Sequence, residues 1–401
     1  MSVLSGKKIL LGISGGIAAY QTPLIVRLLM SHGVEVKIVM TPAAKDFVTP
    51  LTLSTLSNHP VYSTFTEQFH DNPVWNDHVE LGKWADLFLI APATSNTLSA
   101  MVHAKCNNLL IATYLSCTCP VYIAPAMDLD MYAHPANQHN IKELNRIGKK
   151  VLPVGEGFLA SGLHGKGRML EPEEIISHIT EDLKSVLPLY GKKVLITAGP
   201  TYEPIDPVRF IGNHSSGKMG FALAEEARQL GAHVTLISGP CALEASPDID
   251  RHNISTPEEM HQLALEHFTQ ADIAISAAAV ADFKPRYVGN QKIKKEAAIQ
   301  SIELEKTRDV LSEMGKLKQK QFLVGFALET EDETSHAIQK IKSKNLDAIV
   351  LNSLNDTGAG FSVDSNKVTY IDKNETITPF ELKSKILVAK DIFSQILTQN
   401  E

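Results

Sequence analysis

The sequence predicts an α/β protein of two three-layer domains, each a parallel sheet covered by helices on both faces. Two observations carry the class. Short β-branched runs alternate with segments of helical period along the whole chain, and glycine- or hydroxyl-rich loops follow the runs directly. A third sets the number of domains. At 401 residues the chain exceeds what one hydrophobic core commonly supports, and the punctuation at Pro188–Gly191 divides it into residues 1–188 and 189–401.

An apolar fraction of 44% and a charged fraction of 21% belong to an ordinary globular chain rather than a disordered one. The formal charge of −7 argues against a broad nucleic-acid-binding face. No apolar run approaches the ~20 residues of a membrane span. Gly12–Gly16 interrupts the early apolar run, so no signal peptide is read. The four cysteines, Cys106, Cys117, Cys119 and Cys241, lack metal spacing, and a reduced, cytoplasmic setting is expected.

Lys8–Ile13 reads as the first strand. It ends in the glycine loop Ser14–Ile17, and a helix is expected from Ala18 to His32, stopped by Gly33. Val34–Met40 is the second strand, Leu87–Ala91 the third, stopped by Pro92, and Val121–Ala124 the fourth, stopped by Pro125. In such sheets ligands sit beyond the carboxyl ends of the strands. Four loops therefore converge: Ser14–Ile17, Thr41–Phe47, Pro92–Asn96 and Pro125–Met131. Their small and hydroxyl residues, including Ser14, Gly15, Gly16, Thr41, Thr94, Ser95 and Asn96, suit a phosphate and a flat ring held by backbone amides. G-I-S-G-G-I lacks the full G-x-G-x-x-G, and no acidic residue ends the second strand, which favours a mononucleotide over a dinucleotide. His78 precedes a short helix leading into the third strand. The loop P-A-M-D-L-D-M-Y brings a carboxylate, two methionines and an aromatic ring to the same sheet edge. Gly155–Gly167 has too little apolar content to pack alone and reads as a lid, followed by a helix over Glu171–Leu187.

In the second half, Val194–Ala198 is a strand, followed by a long loop and a helix over Phe221–Leu230 whose first turn is built from Ser215, Ser216, Gly217 and Lys218. Small residues there leave backbone N–H groups facing an anion, and Lys218 adds charge. The spacing is not that of a Walker P-loop. His233–Ser238 is a strand and Pro257–Phe268 a helix opening on acidic residues. Ala271–Ser276 runs into A-A-A-V-A-D-F-K-P, where alanines admit a ligand against the backbone and Asp282 stands at the mouth. Lys292, Lys294 and Lys295 read either as a solvated face or, with Asp282 holding Mg²⁺ on a triphosphate, as phosphate ligands. Phe322–Ala327 and Ala348–Asn352 are strands flanking a helix over Thr334–Asn345, on which Lys340 and Lys344 share a face. Lys367–Ile371 and Thr376–Thr378 read as a hairpin, and Ser384–Leu397 as the last helix.

The ordered motifs G-I-S-G-G-I-A-A-Y, H-V-E-L-G-K-W-A-D, A-P-A-T, P-A-M-x-x-x-M-Y, G-K-G-R-M, N-H-S-S-G-K-M-G, A-A-V-A-D-F and K-I-K-K run from about Lys7 to the last helix. Together they resemble the bifunctional phosphopantothenoylcysteine decarboxylase/phosphopantothenate–cysteine ligase family of coenzyme A synthesis. The resemblance implies two Rossmann-like three-layer domains, a flavodoxin-like flavin domain in residues 1–188 followed by a CTP-binding ligase domain in residues 189–401. The ligase would use CTP and Mg²⁺ to activate 4'-phosphopantothenate as an acyl-cytidylate, which cysteine then attacks. The flavin domain would use FMN to decarboxylate the product to 4'-phosphopantetheine.

The resemblance further implies that Ser14, Gly15, Gly16, Ile17, Thr41, Phe47, Ala93, Thr94, Asn96, Ala126 and Met127 surround the FMN, with His78 as acid–base residue. Asn213 would convert the acyl-cytidylate and Lys292 assist its formation, with Arg209 and Lys218 on the substrate. Ser276, Ala277, Ala278, Asp282, Thr307, Arg308, Asp309, Val310, Phe326, Lys340 and Lys344 would line the CTP pocket, Asp282 also as metal ligand. The implied assembly combines ligase dimers with flavin-domain trimers, up to a dodecamer. Two positions depart from the family pattern. Asp128 stands where the family has Asn, and Ser161 where it has a proton-donating Cys. A hydroxyl is a far weaker acid than a thiol, so Asp128 becomes the candidate for the last proton, with water ordered by Ser161 as the lesser one. Two rival readings are a ligase whose first half is only a flavin-binding or assembly module, and a nicotinamide-dependent reductase argued from glycine loops alone.

Overall fold

The computed structural model describes residues 3–69, 72–293, 301–329, 332–353 and 363–400. The chain divides into two compact units, Met1–Lys184 and Ser185–Glu401.

The first unit is built on six parallel strands in the spatial order Val61–Tyr62, Glu35–Met40, Lys8–Ile13, Leu87–Ala93, Val121–Pro125, Lys150–Val151. Alternation along each strand sends side chains to two cores. Ile9, Leu11 and Ile13 pack with Ile25, Val26 and Leu29 of the helix Thr22–Ser31 and with Ile175, Ile176 and Ile179 of the helix Pro172–Ser185. Leu10, Phe88 and Ile90 pack on the opposite face with Leu98, Leu110 and Tyr114. A fully buried side chain of this size contributes about 1.5–3 kcal/mol. The sequence order reverses between Lys8–Ile13 and Leu87–Ala93, which opens a crevice at the carboxyl edge there.

The second unit repeats this plan with eight strands: Asp250–Asn253, His233–Ser238, Lys193–Ala198, Ile273–Ser276, Phe322–Glu329, Ala348–Ser353, Val368–Asp372, Ile377–Pro379. The first six are parallel and the last two antiparallel. Its reversal lies between Lys193–Ala198 and Ile273–Ser276. One face carries the helices Lys218–Gln229 and Lys385–Gln399, through Leu223, Ala227, Ile392 and Phe393. The other carries the helices Pro257–Phe268, Val310–Leu317 and Glu333–Ser343, through Met260, Phe268, Met314 and Ile341.

Several boundaries differ from the sequence expectation. The strands Leu87–Ala93 and Val121–Pro125 run through their prolines, because Pro92 and Pro125 lie at the last rungs, where the pairing slips between Ile90 and Ala93. The helix expected from Ala18 opens as a 3-10 turn, Ile17–Gln21, before Thr22–Ser31, with Pro23 in its first turn. Ser215 and Ser216 lie outside the helix Lys218–Gln229, whose N-cap is Gly217 in the left-handed region at φ 76°. Residues 188–191 are no slack linker. Leu189 is 2% exposed in the second core, and its N–H donates to Leu230 O at 2.9 Å. The lid is a two-stranded hairpin, Gly155–Phe158 with His164–Arg168. No helix among the described residues is long and apolar enough to cross a membrane.

Candidate active sites

In the first unit a cavity of about 540 Å³ opens at the carboxyl edge of the sheet. Gly16, Ile17, Thr94, Ala126, Met127 and Asp128 line it, roofed by Phe158, Leu159, Ala160 and Gly167 of the lid. The loops are tied together beneath it. Ser14 is 1% exposed; its hydroxyl donates to Pro92 O at 2.7 Å and accepts from the Thr94 N–H at 3.0 Å. Ala126 N–H donates to Ala93 O at 3.0 Å, and Met127 N–H to Gly167 O at 3.0 Å. A Cβ on Gly15 would lie 2.7 Å from Ala43 Cβ and 2.9 Å from its carbonyl oxygen, and one on Gly16 would lie 3.2 Å from Thr94 Cγ2. Thr41 Oγ1 and Gln21 Oε1 are buried without a partner among the described residues, and Gln21 also lines the cavity. Bare backbone, orphaned oxygens and an apolar wall are what a flat, phosphate-bearing ring system requires, so the residues present fit a flavin.

Asp128 caps the short helix Leu129–Ala133, its Oδ1 accepting from Leu129 N–H at 2.7 Å. Phe47 and Asn96 are exposed and do not line the cavity. Ser161 sits in the turn of the lid, exposed and outside the cavity lining, its Oγ accepting weakly from Leu163 N–H at 3.4 Å. His78 is also absent from the lining of this cavity. It opens the helix His78–Trp84 after the Asp77 cap, its ring edge-on to Phe65 and Trp75, each with centroids 6.3 Å away, and its Nδ1 is buried without a partner among the described residues. Arg168, which the sequence reading missed, lines the cavity and pairs with Glu171 at 2.6 Å.

The second unit opens its own cavity of about 540 Å³. Asn213, Lys218, Ala277, Ala278, Asp282 and Phe326 come together there. Asn213 Nδ2 donates to Val280 O at 2.8 Å, and Lys218 Nζ pairs with Asp364 Oδ1 at 2.7 Å. The Ala277 and Ala278 N–H groups are fixed on Thr197, at 3.2 Å to its carbonyl and 3.3 Å to its hydroxyl. Thr307 backs Asp282: its N–H donates to Asp282 O at 3.0 Å and its hydroxyl to Ala281 O at 2.6 Å.

Several expected residues stand outside this lining. Ser276 ends its strand half-buried. Arg308 pairs with Glu258 at 3.4 Å, and Val310 is 3% exposed in the core. Asp309 caps the helix Val310–Leu317 and takes Lys344 at 2.7 Å. Burial would raise the Asp309 carboxyl, but Lys344 and the Ser312 N–H outweigh it and hold it below the usual range. Lys340 lies on the helix Glu333–Ser343, and its charge also acts on Asp309. Arg209 is committed elsewhere: its guanidinium binds Asp206, which it holds well below the usual carboxylate range, and donates to Ile293 O at 3.0 Å. Lys292 is exposed, and Lys294 and Lys295 lie outside the described residues. Lys385 and Asn366 line the cavity and were not anticipated. Among the described residues no group of three or more His, Cys, Asp or Glu converges on a metal position. Asp282 thus offers one carboxylate, which suits an ion whose other ligands are phosphate oxygens and water.

Residues 2–184 match the family described as Flavoprotein, and residues 189–399 match the DNA/pantothenate metabolism flavoprotein C-terminal domain. The chain is 52% identical over 357 residues to a cysteine/cysteine sulfinic acid decarboxylase from an unknown prokaryotic organism, covering 88% of this chain and 99% of that one. It is 43% identical over 400 residues to the coenzyme A biosynthesis bifunctional protein CoaBC of Bacillus subtilis, covering 98% of this chain and 97% of that one. A solved C-terminal domain of a coenzyme A biosynthesis bifunctional protein CoaBC is 41% identical, covers 53% of this chain and 97% of that chain, and has a TM-score of 0.46. Two domain matches in this order, with likeness to a bifunctional relative along nearly its whole length, mean that the chain belongs to the bifunctional coenzyme A biosynthesis family, a flavoprotein domain followed by a DNA/pantothenate metabolism flavoprotein C-terminal domain.

Proposed function

We propose that residues 189–401 join 4'-phosphopantothenate to cysteine with CTP, and that residues 1–188 decarboxylate the product to 4'-phosphopantetheine with FMN. One observation carries the reading. Each unit opens a cavity of about 540 Å³ where its strand order reverses, lined by residues that the family motifs single out. In the ligase half the substrate carboxylate attacks the α-phosphorus of CTP, releasing pyrophosphate, and the cysteine amine then displaces CMP. Asn213 has one amide hydrogen engaged by Val280 O, leaving the other for an oxyanion. Asp282 would hold Mg²⁺, which would neutralise charge on the triphosphate, and the fixed Ala277–Ala278 backbone would admit the reacting groups closely.

In the decarboxylase half, bound FMN supplies reversible hydride transfer, which makes carboxylate loss beta to a transient C=S possible. Gly16 on the cavity wall, with Gly15 and the Thr41 hydroxyl, would hold the cofactor, and the lid would exclude water. Asp128 stands in the cavity as the source of the last proton, whereas Ser161 is exposed outside its lining. The proposed oligomer enters here. His78 does not line the cavity of its own chain, and Ile17, Tyr20 and Leu24 beside that cavity are 58%, 55% and 52% exposed. A trimer of flavin units in which a neighbouring copy supplies His78 accounts for both. Exposed Phe210, Phe283 and Leu304 on the small hairpins of the second unit support a ligase dimer in the same way. Mass analysis of products from 4'-phosphopantothenate, cysteine and CTP tests the reading; accumulation of phosphopantothenoylcysteine without CO₂ would leave a ligase alone.

A second reading is favoured by Asp128. A carboxylate in the cavity pairs with a free α-ammonium, which cysteine has and its acylated derivative lacks. Decarboxylation of cysteine itself, the activity named for the 52% identical relative, is therefore the reading to test beside the first. Cysteamine formed from cysteine by the FMN-loaded protein would support it.

A further inference from the structure

The helix Leu109–Ser116 ends at Cys117, which caps it in extended conformation at φ −87° and ψ 140°. Cys119 follows across Thr118, and both thiols are half-buried and reduced. Cys117 Sγ donates to Cys119 O at a long 3.9 Å, and the two thiols share a hydrogen bond. That bond, helped by the Lys149 ammonium, lowers the Cys117 thiol against the effect of burial. The same bond, and then burial, raise the Cys119 thiol. A thiol that ionises readily thus lies beside one that keeps its proton, the arrangement of an oxidised and a resolving cysteine.

The surroundings connect this pair to His78. Cys117, Cys119 and Trp84 pack against one hydrophobic cluster. Gly82, buried in the helix His78–Trp84, lies against the backbone of Cys117. A Cβ on Gly82 would lie 3.1 Å from Cys117 Cα and 3.2 Å from its nitrogen, so no slack separates the two segments. A disulfide needs its sulfurs about 2.05 Å apart, and closing one across the single residue Thr118 must move the backbone of residues 117–119. In a close-packed interior that movement passes to the helix that His78 opens, one turn before Gly82.

We propose that Cys117 and Cys119 close a reversible disulfide under hydrogen peroxide, and that closure displaces the helix His78–Trp84. The Cys117 thiolate takes one oxygen of the peroxide and becomes a sulfenic acid, the other oxygen leaving as water. The Cys119 sulfur then attacks that sulfur. The S–S bond forms, the S–O bond breaks, and the hydroxyl leaves with the Cys119 proton as a second water. Each thiol gives up one electron and the peroxide takes both. A ring closed over one residue is strained, and strained disulfides are the readily reduced, regulatory ones, so a dithiol reopens it. The consequence for catalysis, loss of CO₂ release through His78, rests on the decarboxylase reading.

The test treats the full-length, FMN-loaded chain with hydrogen peroxide in a Cys106→Ser background, which leaves no third thiol nearby in the sequence. Peptide mass should show the segment bearing Cys117 and Cys119 lighter by two hydrogens, restored by dithiothreitol. The two tryptophans of the chain, Trp75 and Trp84, stand beside His78 and at the end of its helix, so intrinsic fluorescence reads the displacement directly. Emission should change with the mass and return with it, and should not respond in Cys117→Ser or Cys119→Ser. CO₂ release should fall about tenfold or more on oxidation, as expected when a reacting group is misplaced. CTP-driven ligation by the same chain should change less than about twofold, since no residue of the pair belongs to that unit. Addition of oxygen to Cys117 without loss of the two hydrogens would overturn the disulfide. A disulfide that leaves fluorescence unchanged, or equal peroxide sensitivity in Cys117→Ser and Cys119→Ser, would overturn the displacement. Should the serine variants fail to fold, the mass and fluorescence of the Cys106→Ser chain decide. A chain that forms the disulfide and shifts its fluorescence but never releases CO₂ would sink the decarboxylase reading and leave the switch standing.

Discussion

Replacing Gly167 by alanine should uncouple the lid from the flavin cavity without unfolding the unit. Gly167 has φ 142°, and a Cβ there would lie 2.4 Å from Met127 O, a backbone atom that cannot rotate away. The same residue accepts the Met127 N–H at 3.0 Å and lines the cavity. A non-glycine residue forced into such a backbone region costs about 1–3 kcal/mol. Losing the hydrogen bond adds about 0.5–1.5 kcal/mol. The sum, roughly 1.5–4.5 kcal/mol, is about 13-fold to 2,000-fold in the closing equilibrium of the lid. Among the described residues the two lid strands form a sheet of their own, separate from the six-stranded one, so the strain is relieved by opening the hairpin rather than by melting the large sheet. Titration of the apoprotein with FMN, followed by flavin fluorescence, should show affinity reduced at least about tenfold. The thermal midpoint of the apoprotein should shift by less than about 4 °C. Unchanged FMN and substrate affinity in a folded Gly167→Ala protein would refute the reasoning, because the lid would then have no part in shaping the site.

Asn213→Asp should place a carboxylate oxygen against Val280 O, where Asn213 Nδ2 now donates at 2.8 Å; radiolabelled CTP should show acyl-cytidylate accumulating while amide formation falls about 10²–10³-fold. In the proposed trimer, His78→Asn should abolish CO₂ release with FMN still bound, and mixing it with a folded variant defective only in the cavity should restore part of the activity; no restoration at any ratio would argue against a shared site. Asp128→Asn should allow CO₂ loss from phosphopantothenoylcysteine while leaving the flavin reduced, which absorbance at the oxidised flavin band reads directly. Finally, burial would raise the Glu225 carboxyl, but Arg228, Gln229 and Ser246 together bring it down from 4.5 to about 2. Its depressed value stabilises the fold above about pH 4.5, and that contribution is lost as pH falls toward about 2. Thermal melts across this window should be steeper for the parent than for Glu225→Gln; parallel curves would count against the assignment.

Elements with strong local punctuation were legible from sequence. The Pro257–Phe268 helix has both members of a capping box, Thr256 and Glu259, and His233–Ser238 follows the helix stop at Gly231. The small hairpins were not, because three-residue ladders such as Tyr202–Pro204 with Phe210–Gly212 have no readable period. Site residues divided in the same way. Asn213 and Asp282 sit in, and Lys218 opens the helix directly after, segments that follow adjacent strands, and topology alone brings such segments together. Arg209 looked like an anion ligand, but Asp206 three residues earlier takes its guanidinium. Lys385 carried no signal beyond a capping serine before it. Its place on the cavity wall depends on how the last helix docks beside Lys218–Gln229, a long-range contact that no local pattern encodes.

The division of the second unit's helices between two faces of one sheet has a consequence for how such a ligase diversifies. Lys218 and Lys385 of the first face line the cavity, whereas the helices Val310–Leu317 and Glu333–Ser343 of the other face contribute no residue to its lining. Substitutions in the two clusters share few partners, so their effects should combine additively. A lineage can then repack the far face without touching the cavity wall. The segments from Asn213 to Lys218 and from Ala277 to Asp282 line the cavity itself and form the part that such drift leaves alone.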